Sequence, residues 1–297
     1  MKLAAIDIGS NAARLLISEV SIDSNGEPLF NKINLVRVPL RLGFDVFENG
    51  FISQEKKHMM IETMKSYAHL LKAYHIDNVL ACATSAMRDA SNGLEVKDEI
   101  KQKTGIDVRI ISGDEEASFI YENHIAEHLD KEHSYLYIDV GGGSTELTFF
   151  DQGKLMYKES FNIGTIRLLK GMVTDDIWDE MKDHLKKNTS SKLPMVAIGS
   201  GGNINKIFSL SKRKEGKPLS LESLKDYYKE LSSVNLEQRI KVYKLKEDRA
   251  DVIVPALQIY ISVMRWANID QIYVPKIGLA DGLIQHLYEE ISSPLTT

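Results

Sequence analysis

Two acidic residues flank a run of three glycines near the middle of the chain. Asp139 lies just before Gly141, Gly142 and Gly143, and Glu146 lies just after them. Glycine lacks a Cβ atom, so the amides of such a run can approach a ligand closely, and successive N–H groups form a site for an anion. Carboxylates repel an anion unless a cation lies between them, and Mg²⁺ bound by carboxylates and substrate phosphates is the common solution. The pattern favours phosphate binding over the alternative, an ordinary hairpin with a flexible tip.

The glycines are predicted to form a tight turn between two β-strands. Residues 135–150 contain an apolar run rich in β-forming residues on each side of the turn. Residues 2–20 repeat this arrangement, and superposing the two stretches places Asp7 on Asp139. Two such turns in register indicate a duplicated domain, in which each half offers an acid and a turn to a shared cleft.

A third glycine run and an arginine follow other predicted strands. Residues 199–202 come between a strand and a helix, and the N-terminus of a helix is a ready site for an anion. Arg88 follows a strand over residues 78–84, and its guanidinium suits the oxygens of a phosphate. The alternative for Arg88 is an exposed salt bridge to Asp89 or Glu95.

Consecutive glutamates begin the helix that is predicted after residue 111. Ser112 and Glu115 have the spacing of a capping box, in which each side chain binds the other's backbone N–H. Glu115 is therefore expected to cap the helix, which leaves Glu116 to point elsewhere. Asn92 and Glu95 have the same spacing and predict another capping box.

Several simpler elements complete the prediction. Residues 35–42 are expected to form a third strand, with a loop over residues 43–45. A helix is expected from Ser53, with an apolar face that includes Met60, Met64 and Tyr67.

The bulk composition excludes some classes of protein. The chain has 297 residues, enough for two domains, and its net charge of −5 argues against a dedicated nucleic-acid binder. Its single cysteine, Cys82, cannot form an intrachain disulfide, so we expect a cytoplasmic protein with a buried, inert thiol. Asp7 interrupts the apolar start, so no signal peptide is expected, and no apolar stretch is long enough to span a membrane.

One histidine pair matches a zinc motif by spacing alone. His124-Ile-Ala-Glu-His128 fits the reversed zinc-protease pattern. No further glutamate stands at a convincing distance, so we interpret the segment as a solvated helix end.

Six motifs in order resemble those of the exopolyphosphatase and guanosine pentaphosphate phosphohydrolase family, in its short two-domain form. They span nearly the whole chain: Asp7-Ile-Gly-Ser-Asn11, Ala83-Thr-Ser-Ala-Met-Arg88, Ile111-Ser-Gly-Asp-Glu-Glu-Ala117, Asp139-Val-Gly-Gly-Gly-Ser-Thr-Glu146, Gly199-Ser-Gly-Gly202 and Arg249-Ala-Asp-Val-Ile253. The paired loops also resemble those of the wider actin, hexokinase and heat-shock ATPase superfamily. The resemblance implies an α/β fold of two ribonuclease-H-like domains around a central cleft. The expected domains are residues 1–121 with 283–297, and residues 122–282.

The resemblance also implies an activity and a role for each site residue. The activity is hydrolysis of a phosphoanhydride, which releases orthophosphate from the end of inorganic polyphosphate or the 5′ phosphate of guanosine pentaphosphate. Glu116 matches the catalytic glutamate that activates water, and Asp7, Asp139 and Glu146 match ligands of Mg²⁺ or another divalent cation. The expected phosphate-binding residues are Ser10, Asn11, Arg88, Gly141, Gly142, Gly143, Ser144, Gly201 and Gly202.

The chain departs from this family at two places. The third glycine loop has Asn205 where the family has lysine, with Lys206 one position late, and Ala280-Asp281 replaces a common arginine-glutamate pair. These departures motivate one alternative, a non-catalytic sensor of polyphosphate or nucleotides. A second alternative, an ATP-dependent kinase or ATPase of the same superfamily, stays open because residues 199–202 could form part of an adenosine pocket. No nucleic-acid or membrane partner is expected, and a homodimer is left open.

Overall fold

The structure, a computed structural model, describes residues 1–121 and 131–292. The chain divides into two compact units, one formed by Met1–Asn123 with Leu279–Thr297 and the other by His124–Gly278. Each unit is built on one mixed β-sheet with helices. The predicted α/β class with two domains is therefore confirmed.

The first unit contains a five-stranded sheet in the order β3-β2-β1-β4-β5. Its first three strands are antiparallel, and β4 and β5 run parallel to β1. The strands are β1 Lys2–Ile8, β2 Ala13–Ile22, β3 Pro28–Val38, β4 Val79–Ala83 and β5 Val108–Ile110. The helices are α1 Leu42–Asn49, α2 Gln54–Tyr74, α3 Ser85–Asp89, α4 Gly93–Thr104 and α5 Gly113–Tyr121.

The second unit contains a six-stranded sheet in the order β10-β11-β9-β6-β7-β8. Its strands are β6 Ser134–Val140, β7 Thr145–Asp151, β8 Lys154–Phe161, β9 Met195–Ser200, β10 Leu219–Ser220 and β11 Gln271–Tyr273. Its helices are α6 Thr165–Leu169, α7 Asp175–Asn188, α8 Gly202–Ser211, α9 Leu221–Ser232, α10 Leu236–Tyr243, α11 Glu247–Ala250 and α12 Ile253–Trp266. Within the described ranges, no helix combines the length and the apolar composition that crossing a bilayer requires.

The two sheets repeat one topology, as the sequence duplication predicts. The strands β8-β7-β6-β9-β11 have the same order and directions as β3-β2-β1-β4-β5. The turns after β1 and β6 also close with the same backbone bond. Gly9 N donates to Ala12 O at 3.1 Å, and Gly141 N donates to Ser144 O at 2.9 Å. The glycine turns therefore occupy equivalent places in the two units.

The last helix, α13 Leu279–Ser292, belongs to the first unit. Leu283 and Ile284 lie in one buried cluster with Leu3 and Ala5 of β1. Ala280, one of the two family departures, also lies in this cluster. An apolar side chain at this position therefore contributes to packing.

The long helix α2 has the apolar face that its residue spacing predicts. Ser53 caps it by accepting a hydrogen bond from Lys56 N at 3.3 Å. Met60, Met64 and Tyr67 are all fully buried. Residues at helical spacing thus contribute to the core of the first unit.

Two local predictions are wrong. The segment after Val38 forms helix α1 instead of extending the strand into a loop, because Leu42, Val46 and Phe47 bury one helical face. Asn92 does not cap α4, because its side chain bonds the backbone of Ile52 instead. Both errors come from tertiary packing that overrides a local pattern.

We predict that Asn92→Ala lowers the free energy of unfolding by about 1–3 kcal/mol. The Asn92 side chain bonds both the N–H and the C=O of the buried Ile52, each at 2.9 Å, and alanine would leave both groups without it. Urea unfolding followed by circular dichroism measures the change. Asn25→Ala, in an exposed turn of the same unit, is the control and should change stability little. Equal effects of the two substitutions would contradict the prediction.

Candidate functional site

The carbonyl groups of the second glycine loop, residues 141–143, are held from one side by helix α6. Thr165 N donates to Gly141 O at 3.0 Å, and Ile166 N donates to Gly142 O at 2.8 Å. The Arg167 side chain completes the set by donating from Nε to the next glycine carbonyl, that of residue 143, at 2.8 Å. Arg167 thus pairs with the loop backbone.

The close approach of α6 to this loop depends on a small residue. A Cβ atom at Gly164 would lie 2.4 Å from the carbonyl oxygen of Gly142 and 2.4 Å from the carbonyl carbon of Gly143. No side chain fits in that space. Gly164 therefore allows the first N–H groups of α6 to reach the loop carbonyls.

The direction of the carbonyls fixes the direction of the loop amides. In a planar trans peptide, the C=O of one residue and the N–H of the next point in opposite directions. Because the carbonyls of residues 141–143 face α6, the N–H groups of Gly142, Gly143 and Ser144 face away from it. Three successive amides on one side are the arrangement typical of an anion site, and phosphate binding by this loop stays a prediction.

Asp139 and Glu146 stand directly opposite each other on the strands that flank this loop. They are Cα partners in the antiparallel β6–β7 pair, so their side chains share one face of the sheet. Glu146 is 2% exposed, and its Oε1 accepts a hydrogen bond from Ser160 Oγ at 2.9 Å. Two carboxylates directly opposite each other on neighbouring strands repel each other, and a cation near both of them would offset the repulsion.

The equivalent pair in the first unit has opposite charges. Asp7 is the Cα partner of Arg14 across β1–β2, and Arg14 Nη1 donates to Asp7 Oδ2 at 2.5 Å. Sequence reasoning overlooked Arg14. The superposition that aligns Asp7 with Asp139 also aligns Arg14 with Glu146, so the signal was present.

The acidic pair of the second unit, Asp139 and Glu146, offers the carboxylate oxygens that Mg²⁺ prefers as ligands. Mg²⁺ typically keeps several waters and binds one or two carboxylates together with substrate phosphates. Asp139 and Glu146 fit that pattern beside the loop amides. In the described parts of the chain, no group of three or more histidine, cysteine, aspartate or glutamate side chains is arranged to hold a metal. The assignment of Asp7 as a further ligand stays a prediction.

The first turn holds Ser10 and Asn11 in a similar way. The backbone carbonyl of Ser10 accepts from Gly43 N at 2.8 Å, and that of Asn11 accepts from Arg41 N at 3.0 Å. Ser10 Oγ is buried and lies 2.8 Å from Ser85 Oγ, at the start of α3. The start of α1 therefore supports this turn from its carbonyl side, as α6 supports the second loop.

The two glutamates of α5 divide their roles as predicted. Ser112 Oγ accepts from Glu115 N at 3.1 Å, and Glu115 Oε2 accepts from Ser112 N at 2.9 Å. This backbone hydrogen bond from Ser112, assisted by an ion pair with Arg109, lowers the pKa of Glu115. Glu116 is 9% exposed and takes no part in the cap. The neighbouring glutamates thus have separate environments.

Arg88 lies beside the start of the same helix. Its Nη1 donates to the carbonyl of Ile111 at 2.8 Å, one residue before the cap of α5. Of the two alternative salt-bridge partners, Asp89 lies 3.8 Å from Arg88 Nε, whereas Glu95 pairs with Lys57 at 3.0 Å. The first unit therefore brings Arg88 to the helix that bears Glu116, and phosphate contact by Arg88 stays a prediction.

The third glycine loop packs against the second. Gly201 has a φ of 107°, and a Cβ atom there would lie 3.0 Å from Val140 O and 3.3 Å from Asp139 Oδ1. Glycine is needed here both for the backbone angle and for this approach. The Arg249 guanidinium donates to the carbonyl of Gly202, the first residue of α8. Gly201 thus lies beside Asp139 within one unit, and Gly202 follows it at the start of α8.

The departures in α8 differ in their surroundings. Asn205 Oδ1 is buried and has no hydrogen-bond partner among the described residues, and Lys206 is partly exposed. That Asn205 weakens the binding of a long polyphosphate stays a prediction. The histidine pair His124 and His128 lies outside the described residues.

Comparison with known proteins identifies the family of the chain. The model of the Ppx/GppA phosphatase family matches residues 21–290. The bifunctional 3-dehydroquinate synthase/phosphatase of Fusobacterium nucleatum is 31% identical over 228 residues, covering 71% of this chain and 34% of that protein. The guanosine-5′-triphosphate,3′-diphosphate pyrophosphatase of Pseudoalteromonas translucida is 27% identical, covering 95% of this chain and 57% of that protein. The chain thus spans about a third and somewhat over half of the lengths of these two relatives.

A solved structure supports the same assignment. An exopolyphosphatase from Cytophaga hutchinsonii superposes with a TM-score of 0.82 at 25% identity, covering 97% of this chain and 98% of that one. The family match extends over most of the chain, and the fold agrees along nearly its whole length. The chain therefore belongs to the Ppx/GppA phosphatase family.

Proposed function

We propose that this protein is a phosphoanhydride hydrolase that releases orthophosphate from the end of inorganic polyphosphate, or from the 5′ phosphate of guanosine pentaphosphate. The observation that carries the proposal is the second glycine loop, whose amides of Gly142, Gly143 and Ser144 face one way beside paired carboxylates. Such a loop suits a terminal phosphate that approaches with a cation. The family and the names of the relatives support the same reaction class.

In this proposal, the backbone does most of the binding. The three loop amides receive the phosphate oxygens, and they need no rearrangement because α6 already fixes the carbonyls behind them. Preorganised N–H donors stabilise charge more effectively than water, which must reorient. Positioning and charge stabilisation account for most of the catalysis in phosphoryl transfer. Ser10, Asn11 and Arg88 are the proposed further contacts to phosphate.

A divalent cation such as Mg²⁺ would be held by Asp139 and Glu146. When bound, it would neutralise phosphate charge and make the phosphorus more open to attack. The like-charged pair supports this role, because two carboxylates on one face of a sheet create a negative field that attracts a cation. Asp7, paired with Arg14, remains a proposed ligand that would first have to exchange this ion pair.

Glu116 is the proposed general base. Its neighbour Glu115 is committed to the helix cap and to Arg109, whereas Glu116 is buried and outside the cap. A carboxylate can orient the attacking water and accept its proton. Arg88, held at the start of the same helix, is the proposed partner that binds phosphate oxygens.

Location and assembly are proposed on less direct grounds. Burial raises the pKa of the Cys82 thiol to about 12, so the one cysteine is an inert packing residue. A chain without a disulfide suits the reducing cytoplasm. A homodimer remains an open proposal, and no observation in the described residues favours the kinase or the sensor.

The proposal is tested by measuring orthophosphate release from graded polyphosphates, guanosine pentaphosphate and ATP, with Mg²⁺ present. We expect release from polyphosphate or guanosine pentaphosphate at rates well above that from ATP. Turnover of ATP alone would support the kinase or ATPase alternative. Tight binding without any release would support the sensor.

We predict that Glu116→Gln lowers kcat by roughly 10²–10⁴-fold, because general-base assistance is lost. Substrate binding should remain close to that of the native protein, since the amide has nearly the same shape. Steady-state phosphate release measures the rate, and calorimetric titration with substrate measures the binding.

Glu115→Gln is the matched control for this substitution. It changes the adjacent residue of the same helix in the same way, but Glu115 serves the cap. It should lower thermal stability and leave kcat nearly unchanged. Near-native activity of Glu116→Gln would place the base at another residue.

We predict that activity requires a divalent cation and that Asp139→Asn and Glu146→Gln raise the concentration of Mg²⁺ needed for half-maximal rate. Each substitution removes one negative charge from the cation's proposed ligands. Asp151→Asn, at the far end of β7, removes a carboxylate that binds Ser134 and Ser191 and should leave the Mg²⁺ requirement unchanged. Full activity in excess chelator would refute this part of the proposal.

We predict that the native protein digests long polyphosphate with weak processivity, because Asn205 supplies no charge where the family has lysine. Asn205→Lys should tighten binding of long chains more than of short chains and steepen its salt dependence, by analogy with the release of counterions from nucleic acids. A gel of product lengths over time, at two salt concentrations, follows both proteins. Digestion of long chains by the native protein without visible intermediates would show that other groups hold the polymer.

A further inference from the structure

A buried tyrosine lies beside the two strand ends that lead into the glycine loops of the second unit. Tyr260 belongs to α12 and is 1% exposed. Its hydroxyl donates a hydrogen bond to the backbone carbonyl of Ser200, and the backbone N–H of Val140 lies near enough to influence its pKa. Ser200 is the last residue of β9, and Val140 is the last residue of β6.

Each of these strand ends is followed at once by a glycine loop. Val140 directly precedes Gly141, and Ser200 directly precedes Gly201. The two strands are parallel neighbours, so a hydroxyl bonded to the end of one lies beside the end of the other. The phenol of Tyr260 is therefore bonded to the start of the third loop and lies next to the start of the second.

The same bond also orients the third loop. The Ser200 carbonyl points toward Tyr260, so the N–H of Gly201 in the same planar peptide points away from it. A Cβ atom placed on Gly201 would lie 3.6 Å from the Tyr260 hydroxyl and 3.3 Å from Asp139 Oδ1. The Tyr260 hydroxyl thus lies close to the place where Gly201 of the third loop approaches the Asp139 carboxylate.

The hydroxyl of Tyr260 keeps its proton throughout the working pH range. Burial raises its pKa well above the ordinary value, and the charge of Asp139 raises it further. The nearby backbone N–H of Val140 opposes this rise in pKa but does not cancel it. The group therefore remains a donor to the Ser200 carbonyl.

We propose that Tyr260 is a positioning residue that holds both glycine loops of the second unit in the arrangement needed to bind phosphate. The proposal rests on the proposed function, in which these loops bind the phosphates of the substrate. Tyr260 itself does not touch the substrate. It acts through the backbone carbonyl of Ser200 and through the close approach of Gly201 to Val140 and Asp139.

The test is Tyr260→Phe, which keeps the ring in the core and removes only the hydroxyl. Hydrogen exchange without substrate should become faster at residues 140–144 and 200–203, while the amides at the start of β6 keep their protection. The KM for the substrate that the native protein hydrolyses should rise about tenfold, the effect of one lost buried hydrogen bond. kcat should change much less, because Glu116 is unaffected.

Tyr157→Phe is the matched control. Tyr157 is a partly buried tyrosine of the same unit, and its hydroxyl lies 3.4 Å from His184 Nδ1, away from both loops. This substitution should leave the KM and the exchange of both loops unchanged.

Three results would overturn the proposal. The first is an unchanged exchange rate in both loops of Tyr260→Phe, and the second is an unchanged KM. The third is a loss of protection spread over the whole second unit, which would make the hydroxyl a general support of the core. A native protein that releases no orthophosphate from any substrate would instead refute the proposed function, and the exchange measurement would still test the role of Tyr260 in the loops.

Discussion

The second glycine loop depends on one constraint: its backbone carbonyl groups already accept hydrogen bonds from helix α6. The first N–H groups of α6 and the Arg167 guanidinium bind the carbonyls of residues 141–143. Planar peptides then direct the following amides to the opposite side. The loop amides are thereby held in one direction without any ligand, and a helix only five residues long is sufficient for this. The small Gly164 permits this contact, so a residue outside the loop determines which way the loop amides point.

Charge distinguishes the two copies of the duplicated turn. In the first unit, Asp7 faces Arg14, and the two charges of the pair cancel. In the second unit, the equivalent positions hold Asp139 and Glu146, two acids on one face of the sheet. The same backbone therefore offers a neutral pair in one unit and an acidic pair in the other. Duplication supplied the geometry twice, and a difference at a single partner position changed its chemistry.

Much of this arrangement follows from local sequence. Glycine runs between β-forming residues predict the loops, and the capping spacing of Ser112 is enough to separate the role of Glu115 from that of Glu116. Features that depend on distant contacts could not be predicted in this way. The Asn92 side chain binds Ile52, 40 residues away, and the Tyr260 hydroxyl binds Ser200, 60 residues away. A single sequence contains no periodicity that marks such pairs.

We propose that backbone amides of the glycine loops, supported from their carbonyl side, bind the terminal phosphate. Amide chemical shifts in a ¹⁵N-labelled sample, titrated with orthophosphate in the presence of Mg²⁺, test this most directly. We expect the largest changes at Gly142, Gly143 and Ser144. Changes confined to other parts of the chain, with these three amides unmoved at saturating phosphate, would contradict the claim.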